Sequence, residues 1–336
     1  MQSKTNRIFY VDFLRACAAL LITNSHFNNI WPVSSIAFGG LLGDVLFFLL
    51  SAFCLSRKTD VGIGKWYLKR VVRIYPSVWI VSIFLCLIGY YSLREMNIFQ
   101  TLIFPTQYHF IESIMLLYIP FYFMVHIDKL RKKIVPIFIG TVLLHIVTYI
   151  LFVDKTTYNI NAVRNPMIRF LFFEAMLMGL WFRDNAHKFE NKGRIKGLLF
   201  TLITMAVYFV STILIPRSST LLYVQVVNQF LLIAAVFFLV KWCIGIGDLW
   251  NKLPSKIKGT FTLISSLTLE IYIVQNFFIA SFSYLAFPRN LIVVLGFILA
   301  VSYAVNKTGA QISQGLNLCI SKIPSRNKKS RKTLDS

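Results

Sequence analysis

The stretch YVDFLRACAALLITNSHF, residues 10–27, is apolar over a length suited to a membrane, yet it carries Asp12, Arg15 and His26. At 100° per residue these three share one stripe of a helix with Ala19 and Ile22, and Arg15 and His26, eleven apart, differ by only about 20° around the axis. An Asp or Arg near the centre of a membrane helix costs about 2.5–3.5 kcal/mol, so the stripe must face protein or water and not lipid. A helix of this kind needs neighbours, which makes the chain a bundle. Asp12 is placed to neutralise Arg15 at i, i+3. The run lacks a small-residue cleavage signature, so a retained first span is expected and not a removable signal.

The rest of the chain agrees with that reading. Of its 336 residues 57% are hydrophobic and 14% charged, and the mean hydropathy is +0.66, too apolar for an ordinary soluble domain. Stretches near the ~20 residues needed to cross a bilayer core are centred on 8–28, 38–56, 75–92, 111–127, 134–153, 166–182, 196–215, 221–243, 261–283 and 289–306. These runs are continuous and longer than the alternating ten-residue segments of a barrel. The expected fold is therefore an all-α polytopic membrane bundle of about ten helices, with one membrane domain over 1–322 and a basic, disordered tail over 323–336.

A formal charge of +22 raises nucleic acid as a partner. Its distribution answers otherwise. With an inside N-terminus, 28 of the 35 Lys and Arg fall on one set of alternating loops and five on the other (Arg94, Lys155, Arg164, Arg217, Arg289), leaving Arg15 and Arg169 within helices. That asymmetry is the positive-inside pattern; it implies both termini cytoplasmic and assigns the basic tail to topology and anionic lipid. The five cysteines have no paired spacing, and no ligand cluster suits a metal. VGIGKW and GIGDLW lack the spacing and preceding strand of a phosphate loop.

Arg57 to Arg73 reads as a charged inner connection, with Pro76 in the first turn of the helix that follows. KTGAQISQGLNLCISKI, after the last span, reads as a short interfacial helix. The longest outer loops, about 93–110 and 153–166, are long enough to form caps but not domains.

Several motifs, in order, carry a resemblance. FLRACAALLITNSH, with ten residues between Arg15 and His26, resembles the first-helix signature of the membrane-bound acyltransferase-3 family, which transfers acyl groups, commonly acetyl, to sugar hydroxyls. GLLGDVLFFLLSAFCLSRK, residues 40–58, resembles the second-helix pattern, with Ala52 in place of the usual glycine. WYLKRVVRIYP carries Arg70 and Arg73 as an Arg-x-x-Arg motif, and SLTLEIYIVQNFF is similar to the penultimate-helix pattern, with Gln275 or Asn276 where many members have histidine. If that histidine matters chemically, its absence leaves the work to His26.

The resemblance implies an O-acyltransferase of a bacterial inner membrane that moves acetyl or another acyl group from cytoplasmic acyl-CoA to a hydroxyl of a surface glycan or its lipid-linked precursor. Chemistry suits the residues to the parts. The guanidinium forks of Arg70 and Arg73, at i and i+3, match the donor's phosphates. His26, with a side chain that titrates near neutrality, serves as general base, and an acyl-enzyme on His26 is the variant scheme. Arg15, about 16 Å of helix rise from His26, guides the phosphopantetheine arm along a polar channel or holds a carboxylate. Asp44 orients His26 if the second helix adjoins the first.

Glu174 and Glu270 are candidate partners of Arg169 or Arg15, and Tyr272 follows Glu270 by two. His126 and His145 read as packed residues, the latter alone in an apolar run. The competing reading is a secondary transporter or flippase, for which buried Asp, Arg and Glu form a substrate path; paired Gly/Pro-broken helices would mark it, and no convincing pair is present.

Overall fold

The computed structural model describes residues 8–91, 108–162 and 165–321. The basic tail and most of the 93–110 loop lie outside them. The described chain is all-helical, 81% helix with no strand. The main helices are α1 (Phe9–Ser25), α2 (Gly40–Leu55), α3 (Ile63–Leu87), α4 (His109–His126), α5 (Asp128–Lys132), α6 (Ile134–Phe152), α7 (Met167–Asn185), α8 (Arg194–Leu214), α9 (Ser219–Leu222), α10 (Val227–Gly245), α11 (Gly247–Lys252), α12 (Ser255–Ser266), α13 (Thr268–Phe282) and α14 (Arg289–Ser321).

Among the described residues, seven helices are long and apolar enough to cross a membrane, eight if the bent pair α12–α13 is one span. The other two predicted spans are helices that miss the mark for physical reasons. Helix α1 is only 17 residues long, and α7 carries Arg169, Glu174, Arg183 and Asp184.

Helix α2 is the central post, with α1 on one side and α7 on another. Glycines set both distances. A Cβ on Gly43 would stand 2.7 Å from the Ala18 carbonyl oxygen of α1, and one on Gly179 would stand 2.1 Å from the Leu49 carbonyl oxygen of α2. Backbones pack this closely only where a small residue leaves room, the usual means of helix association in lipid. Phe48 and Leu49, wholly buried, fill the space around the post. Helices α6 and α8 lie at the periphery, with only 17% of their spanning windows buried.

Three predicted boundaries are corrected. Helix α3 starts at Ile63 and runs through Pro76, so Arg57–Arg73 is mostly helix and Pro76 is not in a first turn. Proline has no N–H for the carbonyl four residues back. Here that carbonyl, Val72 O, accepts from Ser313 Oγ of α14 at 2.8 Å, so the helix continues.

Helix α14 is one helix of 33 residues, not a span plus an interfacial piece. Its Gly309 would press a Cβ to 2.8 Å from Ser77 Oγ, so the missing side chain lets α14 lie along α3 past the expected end. The predicted span 261–283 is two helices bent by 72° at Leu267. The polar run Ser265–Ser266–Leu267–Thr268 marks the break, with Thr268 Oγ1 donating to Ser265 O at 2.9 Å.

On the loop side of α4, Lys58 pairs with Asp128 and holds that exposed carboxyl below the usual carboxylate range. Arg131 binds Asp184 through Nε at 2.9 Å and donates to Ser56 O at 2.9 Å.

Candidate active site

Helix α1 carries Arg15 in its second turn and ends at His26, its C-terminal cap, so the two sit at different ends of one rod. Ala16, Ala18 and Ala19 are buried and allow α2 to approach. The loop after His26 is tied down at several points. Asn24 Nδ2 donates to Ile36 O and Phe38 O (2.8 and 3.0 Å), Trp31 Nε1 donates to Asn24 Oδ1 (2.9 Å), and Asn290 Nδ2 donates to Ile30 O (2.8 Å). These ties fix where the exposed imidazole stands.

Around Arg15 a cavity of about 180 Å³ also takes in Arg70 and Arg73, and the broken helix supplies Ser265, Ser266 and Thr268 to its wall. Three guanidinium groups thus converge on one space, with the hydroxyls of Ser51 and Tyr118 bonded to each other at 3.0 Å beside it. Arg15 lies 5.9 Å from the Phe47 ring centre and Arg70 5.1 Å from that of Trp66. The Nε atoms of Arg15 and Arg70 are buried without a hydrogen-bond partner. Unfilled donors on cations facing a cavity are suited to an anionic ligand. The first turn of α13 lines the same cavity and adds the positive end of its helix dipole.

The other end of α1 opens on a cavity of about 400 Å³ that includes His26, Asp44 and Tyr272, together with Ser25, Asn161, Tyr208 and Thr212. His26 and Asp44, on adjoining helices, line this one cavity. No hydrogen bond joins the two among the described residues, so the predicted orienting contact is not formed here. Asn161 is held by a buried polar network. Its Nδ2 lies 2.6 Å from both Tyr158 OH and Asn228 Oδ1, and Asn228 Nδ2 donates to Ser211 Oγ at 2.7 Å. Gln225 Oε1 accepts from the N–H groups of Asn159 and Ile160, both at 3.0 Å. The loop near 153–162 is therefore a cap clamped onto α9 and α10, leaving Asn161 Oδ1 buried and unpartnered.

Among the described residues Phe110 is the one that lines both cavities, and its ring packs on Phe47 at 4.6 Å, Phe48 at 5.0 Å and Tyr272 at 5.0 Å.

Other predicted partners are elsewhere. Arg169 pairs with Glu112 at 2.7 Å, not with Glu174 or Glu270. Glu174 takes His145 at 3.0 Å, both wholly buried, so His145 is not alone. Glu270 accepts from Ser77 Oγ at 2.8 Å. Neither glutamate lines the two cavities. Asp12, buried on α1, accepts from Ser265 Oγ at 2.9 Å and so braces the broken helix. His126 stacks on Tyr122 at 4.0 Å as a packed residue. No group of three or more His, Cys, Asp or Glu suited to a metal occurs among the described residues.

Sequence reasoning missed Phe110, Asn161, Tyr208 and the Ser51–Tyr118 pair, none of which stands out by type or spacing. It also missed the cavity role of Ser265, Ser266 and Thr268, although a polar run inside an apolar span was a visible signal.

A helical membrane bundle with arginines at one end of a helix and a histidine in a polar cavity at the other defines the class. The family model described as an acyltransferase domain, of the acyltransferase-3 type, matches residues 8–306, nearly the whole chain. The chain belongs to the acyltransferase-3 family and is a membrane-bound acyltransferase. No curated protein and no solved structure matches it.

Proposed function

We propose that the protein is an O-acyltransferase that takes an acyl group, acetyl above all, from cytoplasmic acyl-CoA to a hydroxyl of a surface glycan or its lipid-linked precursor. The observation that carries this reading is the pair of cavities at the two ends of α1, one walled by Arg15, Arg70 and Arg73, the other holding His26 and Asp44. The first is smaller than the roughly 300–1,000 Å³ of a typical ligand pocket. It suits a phosphate or the narrow pantetheine arm, with the nucleotide lying outside against exposed Arg73. The about 16 Å between Arg15 and His26 is then spanned by that arm.

In the reaction His26 takes the proton of the acceptor hydroxyl as its oxygen attacks the thioester carbon. The carbon–oxygen bond forms, the carbon–sulfur bond breaks, and the departing thiolate receives the proton from His26. Asp44, on the same cavity, is the group to stabilise the imidazolium once a substrate draws the two together. Asn161, Tyr208 and Tyr272 offer hydrogen bonds to a hydroxyl-rich acceptor. Ten membrane helices with both termini cytoplasmic, in a bacterial inner membrane, place the arginines on the side where acyl-CoA is made; the charge asymmetry of the loops supports this.

The broken pair α12–α13 is the observation that favours the transporter reading. One experiment separates them. Purified full-length protein is given radiolabelled acetyl-CoA and glycan-bearing membranes. Label in the glycan, lost in His26→Ala protein that folds normally, supports transfer; full transfer by His26→Ala removes His26 from the mechanism, and absence of any transfer by the parent protein removes the function.

A further inference from the structure

We propose that Phe110 determines which acyl chains this enzyme accepts, admitting short groups and rejecting long ones. The inference rests on the acyl-CoA-to-glycan reading above. A donor anchored at Arg70 and Arg73 and a hydroxyl activated at His26 meet only if the acyl carbonyl reaches the boundary between the two cavities, and among the described residues the one side chain common to both linings is the Phe110 ring.

Three aromatic rings hold that ring. On the arginine side it packs edge-on against Phe47 at 4.6 Å; on the histidine side it meets Tyr272 at 5.0 Å. Behind it lies Phe48, itself stacked at 4.1 Å on Phe172, another wall of the histidine cavity. The Phe110 N–H lies 3.4 Å from the Tyr272 hydroxyl, which fixes the start of α4 relative to α13. Phe110 is 7% exposed, so it has little freedom to swing aside. A two-carbon acyl group is flat and needs little space beside such a ring. Each added methylene must occupy volume the ring already fills. Apolar pockets discriminate by about 10–200-fold per methylene.

The test uses membranes carrying the full-length chain and radiolabelled acetyl-, butyryl- and hexanoyl-CoA, reading label transferred to endogenous glycan, with binding of unacylated CoA measured alongside. Phe110→Ala is expected to raise the butyryl-to-acetyl transfer ratio by about tenfold or more. Phe110→Trp is expected to lower transfer of all three donors by about tenfold or more. Should Phe110→Ala fail to accumulate, Phe110→Leu reads the same ratio in the same direction. A parent protein that transfers acetyl while no Phe110 variant changes the donor profile overturns the inference alone. A parent protein that transfers from no donor overturns the function and this inference with it.

Discussion

Helices α6 and α8 satisfy every requirement of length and apolarity for a membrane span and bury only 17% of those spans, whereas α1 and α7 fall short of the same standard and lie at the centre of the bundle. The difference shows what hydropathy measures here. An outer helix meets lipid on most of its surface and must be apolar all round. An inner one meets protein, so it is free to carry Asp12 and Arg15, or Arg169 and Glu174, provided partners such as Ser265, Glu112 and His145 stand opposite.

The contrast is sharpest in function. His26→Ala, at the end of α1, should lower acyl transfer by about 10²–10⁴-fold without loss of folded protein. Leu202→Ala, an equal truncation on the lipid-facing surface of α8, should leave transfer as it was. Transfer of label from acetyl-CoA measures both, and an equal fall in the two variants would break the distinction between inner and outer helices.

Glycine pairs test it in stability. Gly179→Ala drives a methyl group into the Leu49 carbonyl of α2 and should cost about 3 kcal/mol, the upper end for overpacking. Gly140→Ala on α6 meets nothing within 4 Å and should gain up to about 1 kcal/mol from helix propensity. Thermal unfolding in detergent reads the opposite signs.

Donor binding is next in size. Arg70→Ala should weaken CoA binding by about ten- to a hundredfold, the loss of a charged hydrogen bond. Arg70→Lys should recover only part of it, because an ammonium lacks the guanidinium fork. Lys196→Ala on α8, outside the cavity, is the control. The smallest effect expected is that of Ser313→Ala, which leaves the Val72 carbonyl without its partner and should cost about 1 kcal/mol, visible as a modest loss of thermal stability.

The sequence disclosed what depends on one helix at a time. The stripe of α1 put Arg15 and His26 on one face about three turns apart, and the Arg-x-x-Arg spacing put Arg70 and Arg73 on one side of a helix. What depends on a neighbour was hidden. The Val72 carbonyl that Pro76 leaves free is satisfied by Ser313, 241 positions away; the approach of α14 to α3 uses the gap at Gly309; and the partners of Glu174 and Arg169 come from other helices. Phe110 was invisible for a plainer reason: in a chain with 31 phenylalanines, only the shape of the space around it distinguishes it.

Helix α14 is about 50 Å long at 1.5 Å per residue, while the hydrocarbon of a bilayer is about 30 Å thick, so part of it must stand clear of the lipid. Its later turns lie against the early turns of α3, where Arg70 and Arg73 are mounted. The two arginines are thus raised on a stiff pedestal and not carried by a slack loop. For the proposed donor this means a receptor already in place, so that little of the attraction of its phosphates would be spent on bringing order to the arginines.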